Sequence, residues 1–223
     1  MRRERNPGQR AGLTGDVVVA AATDLLGTQG LDGLTMRALA DSLGVAPNAL
    51  YSHVPSKTAL IDALLDATLA DVDAPPLGIE DPVAGLQQLM VSTYELLMDH
   101  PDLVPLYLAR QGSRGPHAQH LGEVMIGLLA RADVHNAAAQ EAQRVLIVYT
   151  IGFAAFATHP PGRDSTDDKP LTSADLRGNF TDGLRWLLAG IVSGPAHARH
   201  REEPAMRRSN AEQGEGAVRT KSV

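Results

Sequence analysis

Two sets of side chains in this sequence carry groups able to do chemistry. The first follows Pro47: Asn48, Ala49, Tyr51, Ser52 and His53 are uncharged, small or aromatic, and mostly tipped with hydrogen-bonding atoms. Residues of these types suit base edges, thymine methyl groups and phosphate oxygens. The second set lies further on: His100, Arg110, His117, His120, Glu123 and tyrosines 94, 107 and 149. His117, His120 and Glu123 fall at i, i+3 and i+6, which on a helix sets two or three ligands on adjoining turns. Without an HExxH pair, and with the three groups drifting round the helix, that is a weak metal pattern; ordinary surface or pocket histidines are the expectation, and no metal is assigned. The run 111–116, QGSRGP, places Gln111 where a GxSxG elbow needs its first glycine, and no strand-to-helix context surrounds Ser113. No phosphate-cradling glycine loop and no paired carboxylates stand out, so neither an enzyme nor a cofactor is expected.

The elements that position the first set are legible. Thr35 is a good N-cap for a helix whose apolar residues Ala38, Leu39 and Leu43 share a face. Gly44 stands where a helix end favours a left-handed residue, and Pro47 opens a second helix without forfeiting a needed N–H. Val54-Pro55 limits that helix to about two turns. Leu39, Leu43, Val45 and Leu50 form the shared core of the pair. This is the plan of a helix-turn-helix, whose second helix enters the DNA major groove. The competing reading is a small helical domain in which Tyr51 covers the core edge and His53 is a solvated surface residue. A helix at 14–29, with Val18, Ala21, Ala22, Leu25 and Leu26 on one face and its end marked by Gly27 and Gly30, precedes the pair. A longer helix at 56–72 follows, with Ser56 as N-cap, Lys57 at its start and Leu60, Ile61, Leu64, Leu65, Thr68 and Leu69 repeating at three and four.

The stretch GLTMRALADSLGVAPNALYSHVPSKTALIDALLD, with LLGTQGLDGLT before it, strongly resembles the DNA-binding domain of TetR-type (tetracycline-repressor-like) transcriptional regulators. The resemblance covers residues 13–66 most specifically. It implies a three-helix head at 13–58 in which Thr35, Arg37, Pro47, Asn48, Ala49, Tyr51, His53 and Lys57 match DNA-contacting positions. Ser52 stands where many members carry a bulkier, often aromatic residue, so base preference is not transferred.

Charge fits such a head only once it is split. The net charge of −6 is unusual for a DNA binder, but residues 1–60 hold six Lys/Arg against five Asp/Glu. Residues 61–195 hold eight against seventeen, and residues 196–223 hold six against four. An acidic body is thereby held off a polyanion while the head and tails approach it. Hydrophobic residues at 43% allow a sizeable core, and aromatic residues at 4% with abundant Ala and Leu favour an all-α fold. There is no cysteine, so disulfides and thiolate metal sites are excluded. The first residues offer no apolar run suited to secretion, and a cytoplasmic protein is expected.

The remaining chain reads as a basic disordered arm at 1–12, an effector-binding and dimerisation body at 73–193, and a disordered tail at 194–223. The helices of the body are expected at 82–100, near 105–110, and at 117–131, 137–158 and 173–192, with a loop at 160–170. Val145 to Thr158 carries no charged side chain, yet it is too short to span a membrane. A helix without a wet face must be covered on several sides, which suggests a four-helix bundle made by two chains; burial within one protomer is the alternative. The resemblance favours the homodimer and a palindromic operator in double-stranded DNA. Met90, Tyr94, Met98, Tyr107, Met125, Tyr149, Phe153 and Phe156 are core residues on spacing alone. The resemblance makes all of these but Phe156 a small-molecule effector pocket, with His100, Arg110 and His117 as polar anchors. The expected function is that of a ligand-responsive DNA-binding repressor. A constitutive DNA-binding protein without an effector, or a helical enzyme or interaction module, are the alternatives.

Overall fold

A computed structural model describes residues 12–158 and 171–194. The expected loop at 160–170, and all but the glycines 12 and 194 of the expected arm and tail, lie outside those residues. Among the described residues every regular element is helical, in line with the all-α expectation.

The first helix, α1 (Gly15–Gly33), starts where Thr14 Oγ1 accepts the Val17 N–H at 3.2 Å. It buries Val18, Ala22, Leu25 and Leu26, as the apolar spacing requires. The helix runs past its expected end, but Gly30 at φ +67° splits it, so the glycine signal marks a kink rather than a terminus. Next come α2 (Met36–Ser42), α3 (Pro47–Leu50) and α4 (Lys57–Thr68). Thr35 and Ser56 cap α2 and α4 by accepting the Ala38 and Ala59 N–H groups, each at 3.1 Å. Gly44 makes the turn between α2 and α3 at φ +66°. The third helix is a single turn, shorter than expected. Its hydrogen bonding nonetheless continues, since the His53 and Val54 N–H groups both donate to Leu50 O, at 2.9 and 2.8 Å. Pro55 then ends the run. Leu34, Leu39, Ala40, Leu50, Leu60 and Leu64 are fully buried and make one core beneath these helices.

The expected link helix at 56–72 closes earlier, because a 3-10 turn at Leu69–Asp71 tightens its last residues. Beyond it lie α5 (Pro82–Asp99), a 3-10 turn at Pro101–Leu103, α6 (Val104–Arg110), α7 (Pro116–Arg131), α8 (Asn136–Thr158) and α9 (Ser173–Ser193). Asp81 caps α5 twice, through the Val83 and Ala84 N–H groups at 2.8 and 3.2 Å. A capping box opens α9: Thr172 Oγ1 accepts the Asp175 N–H while the Asp175 carboxylate accepts the Thr172 N–H. That bonding lowers the Asp175 pKa below the usual carboxylate range. The long helix α5 packs against α7 and α8, and α4 touches both α6 and α7. Phe180 fastens α9 to the body, stacking on Tyr94 with ring centroids 4.2 Å apart and on Tyr149 at 5.3 Å.

Candidate nucleic-acid interface and ligand cavity

Leu50, fully buried, anchors α3 and fixes which of its neighbours face out. Pro47, Asn48, Tyr51, Ser52 and His53 are exposed and Ala49 is half-buried. Tyr51 is 47% exposed, an unusual state for a tyrosine with a core beside it, so it does not cover the core edge. Ser52 Oγ turns back to donate to Ala49 O at 2.7 Å, which leaves Asn48, Tyr51 and His53 as the projecting side chains of the turn. Thr35 and Arg37 stand exposed at the start of α2, and Lys57 at the first position of α4. Both sites combine helix N-terminal N–H groups with a nearby cation, an arrangement suited to phosphate oxygens. The eight residues matched by resemblance thus all lie on the exposed or half-buried surface of α2, α3 and the first turn of α4.

Nine of the ten residues expected around an effector divide among three places. Met90, Tyr107 and Met125 border a cavity of about 130 Å³ enclosed by α5, α6, α7 and α8. Its floor is buried and apolar, built by Leu89, Met90, Leu97, Met125 and Ile151 with the hydroxyls of Tyr107 and Thr150. Its mouth is more polar, with Gln111, Ser113 and Gln143. Tyr94, Tyr149 and Phe153 belong instead to the aromatic cluster around Phe180, and Tyr149 Oη donates to Phe180 O at 2.9 Å. His100, Arg110 and His117 border a different, open groove of about 860 Å³ between α1, α4 and the loop that joins α6 to α7. Met98 is half-buried and lines neither space. His117, His120 and Glu123 are all exposed along α7.

Arg110 already has a partner within the chain: its Nε and Nη2 each donate to the Asp62 carboxylate at 2.7 Å. That bidentate pair is one of three grips on α4. Tyr107 Oη donates to Leu65 O at 2.5 Å. Burial, together with the nearby Asp66 carboxylate, pushes the Tyr107 phenol far above its ordinary pKa, so it remains a donor at any physiological pH. The third grip is Asp66, which is only 5% exposed. Its carboxylate accepts the N–H groups of His117 and Ala118, at 3.2 and 2.9 Å, and the Ser113 hydroxyl at 3.3 Å. Gly115, the N-cap residue of α7, has no side chain with which to cap it. Asp66 caps α7 from a neighbouring helix, and a Cβ on Gly115 would fall 2.2 Å from the Asp66 carboxyl carbon. Sequence reasoning missed Asp62 and Asp66. The available signal was two carboxylates one helical turn apart, on a helix whose apolar stripe should need none.

The apolar length of α8 is not consumed within the protomer. Ala154 is buried, but Val148 and Phe156 are 69% and 51% exposed, and Trp186 of α9 is 76% exposed. Such large apolar groups on two adjacent helices mark an interaction surface.

Residues 18–64 match the family model of bacterial regulatory proteins, tetR family. A relative described as an HTH-type transcriptional regulator of Saccharopolyspora erythraea is 29% identical over 206 residues, covering 81% of this chain and 85% of that one. ActR from Streptomyces coelicolor, solved in complex with actinorhodin, superposes with a TM-score of 0.72 at 25% identity, over 84% of this chain and 99% of that one. BioQ, solved with its double-stranded DNA operator, superposes with a TM-score of 0.65 at 26% identity, over 82% and 100%.

Proposed function

The chain belongs to the tetR family of bacterial regulatory proteins, and from that premise we propose that it is a repressor released from a palindromic operator by a small molecule bound between α5, α6, α7 and α8. In this reading α3 enters the major groove. Asn48, Tyr51 and His53 meet bases and backbone there, while Thr35, Arg37 and Lys57 meet phosphates. Two chains pair through the apolar faces of α8 and α9, burying Val148, Phe156 and Trp186, and present two heads to successive major grooves. A regulator of this kind works in the cytoplasm, where the DNA is. The solved likenesses support both halves of the reading, since one holds operator DNA and another a small molecule.

The observation that carries the coupling is the triple grip on α4. Tyr107 and the 111–113 loop border the cavity, while Tyr107, Arg110 and Ser113 also hold Leu65, Asp62 and Asp66. A ligand that displaces α6 or the loop therefore acts on α4, and α4 shares its core residues Leu60 and Leu64 with the head. Ligand and DNA then oppose one another through a coupling free energy of about 1–3 kcal/mol, reciprocal by linkage. Selection of bound DNA from a random pool with the purified chain tests the first half of the reading. A two-fold symmetric consensus is expected; recovery of no enriched sequence would refute DNA recognition.

A further inference from the structure

The repressor reading leaves the chemistry of its ligand open, and the cavity itself supplies it. We infer that the cavity takes an uncharged ligand, with an apolar ring-sized body and a neutral hydroxyl or carbonyl edge, and that it rejects organic anions and cations. The inference rests on the proposed ligand-binding role of this site.

Among the described residues, the cavity is bordered by apolar, hydroxyl and amide side chains and by no Asp, Glu, Lys, Arg or His. The polar groups at its floor are already engaged: Tyr107 Oη donates to Leu65 O and Thr150 Oγ1 to Leu146 O, at 2.9 Å for the latter. Each keeps lone pairs, so the floor accepts hydrogen bonds but offers no countercharge. At the mouth the Gln111 and Gln143 amides supply both donors and acceptors, and Gln143 Nε2 donates to Gly122 O at 3.3 Å. A volume of about 130 Å³ is close to that of the apolar cavity of roughly 150 Å³ that admits benzene in a well-studied lysozyme variant. One ring fits the floor, and any larger frame extends past Gln111 and Gln143.

The nearby charges sharpen the point. The N-terminus of α7 lies beside the mouth, and an uncapped helix N-terminus there would favour an anionic ligand. Here the chain's own carboxylate, Asp66, takes the His117 and Ala118 N–H groups. An anion would have to displace it or sit against it. A cation could draw on Asp62 or Asp66 only by breaking the Arg110 pair or the α7 cap. Either ion entering the apolar floor would lose its hydration without a partner.

Calorimetry of the full chain with three naphthalene compounds at neutral pH tests this: 2-naphthol, 2-naphthoate and 2-naphthylmethylammonium. Naphthol is expected to bind at least about 30-fold more tightly than either ion, the size of an uncompensated desolvation. The variant Gly122→Leu fills the mouth, where a Cβ already comes within 2.9 Å of the Gln143 amide nitrogen. It should abolish naphthol binding without lowering the melting temperature. Either ion matching naphthol, naphthol binding that survives Gly122→Leu, or no measurable naphthol binding by the folded chain overturns the inference. Operator binding is read in a separate titration. Naphthol that binds in the expected order but leaves DNA affinity unchanged counts against ligand-responsive repression, while the chemistry of the cavity stands.

Discussion

Replacing Asp66 by alanine removes one carboxylate and unties two helices. The carboxylate satisfies two otherwise orphaned N–H groups at the start of α7 and one hydroxyl, at 2.9 to 3.3 Å. Loss of a helix cap costs about 1 kcal/mol per bond, and loss of a negative charge at a partly buried helix N-terminus about another 1 kcal/mol. The Ser113 bond is long and adds little. The sum is about 3 kcal/mol, which for a chain of this size lowers the melting temperature by roughly 6–12 °C when protomer concentration is held fixed. Gly115→Ala strikes the same latch from the other side, because its Cβ cannot coexist with the carboxylate where it stands. The double variant should therefore lose clearly less than the two single losses combined. In solution, thermal or urea unfolding gives the stability. Titration of a bound ligand with and without operator gives the coupling, which should shrink toward equal affinities in both variants. If Asp66→Ala unfolds within about 0.5 kcal/mol of the parent chain, or the two substitutions add in full, the latch is not as the geometry describes it.

Other substitutions test other parts of the reading. Lys57→Ala should weaken operator binding equally for all sequences and lower the salt slope by about one unit per head, whereas substitution of Asn48 should change base preference at a cost of about 1–3 kcal/mol; filter binding across a salt series separates the two. Val148→Arg places a charge on a side chain that the isolated protomer leaves 69% exposed, so the chain should fold yet sediment as a monomer, and a stable dimer would move the seam elsewhere. Thr172→Ala removes the Oγ1 acceptor of the α9 capping box and should cost about 1 kcal/mol in urea unfolding. Because the Asp175 pKa is lowered in the folded chain, its stabilising contribution is present above its ordinary pKa and fades as pH falls through the lowered value; Thr172→Ala should flatten that acid limb of the stability profile.

The head was legible because each of its signals is local. Thr35 and Ser56 cap the helices they were expected to cap, Gly44 takes the left-handed conformation expected of it, and Leu50 fixes the outward face of a single turn. The body was legible as helices and not as sites. Tyr94 and Tyr107 are the same residue type, both almost fully buried. One stacks on Phe180 at the α9 contact, and the other closes the cavity and grips α4. No periodicity within α5 or α6 distinguishes those fates, since the difference lies in which distant helix passes by. Gln143 and Thr150 of the cavity wall were overlooked for a related reason: an amide and a hydroxyl in an alanine-rich helix look like ordinary half-buried positions.

The anchors expected of the ligand site, His100, Arg110 and His117, are the residues that the geometry assigns elsewhere. A charged or imidazole side chain among apolar helices signals that something must pair with it, but the partner need not be a ligand. For Arg110 it is Asp62, on a neighbouring helix 48 positions earlier in the chain. The consequence bears on mechanism. A repressor that spent the Arg110 guanidinium on binding its effector would need the effector to complete its fold. By spending it on Asp62 the chain ties α6 to α4 while the cavity is empty, and it leaves a ligand to act on the contacts at Tyr107 and the 111–113 loop. A ligand shifts such an equilibrium only by its difference in affinity for the two states. In the proposed coupling, the grips on Asp62, Leu65 and Asp66 set how large that difference must be for the operator to be released.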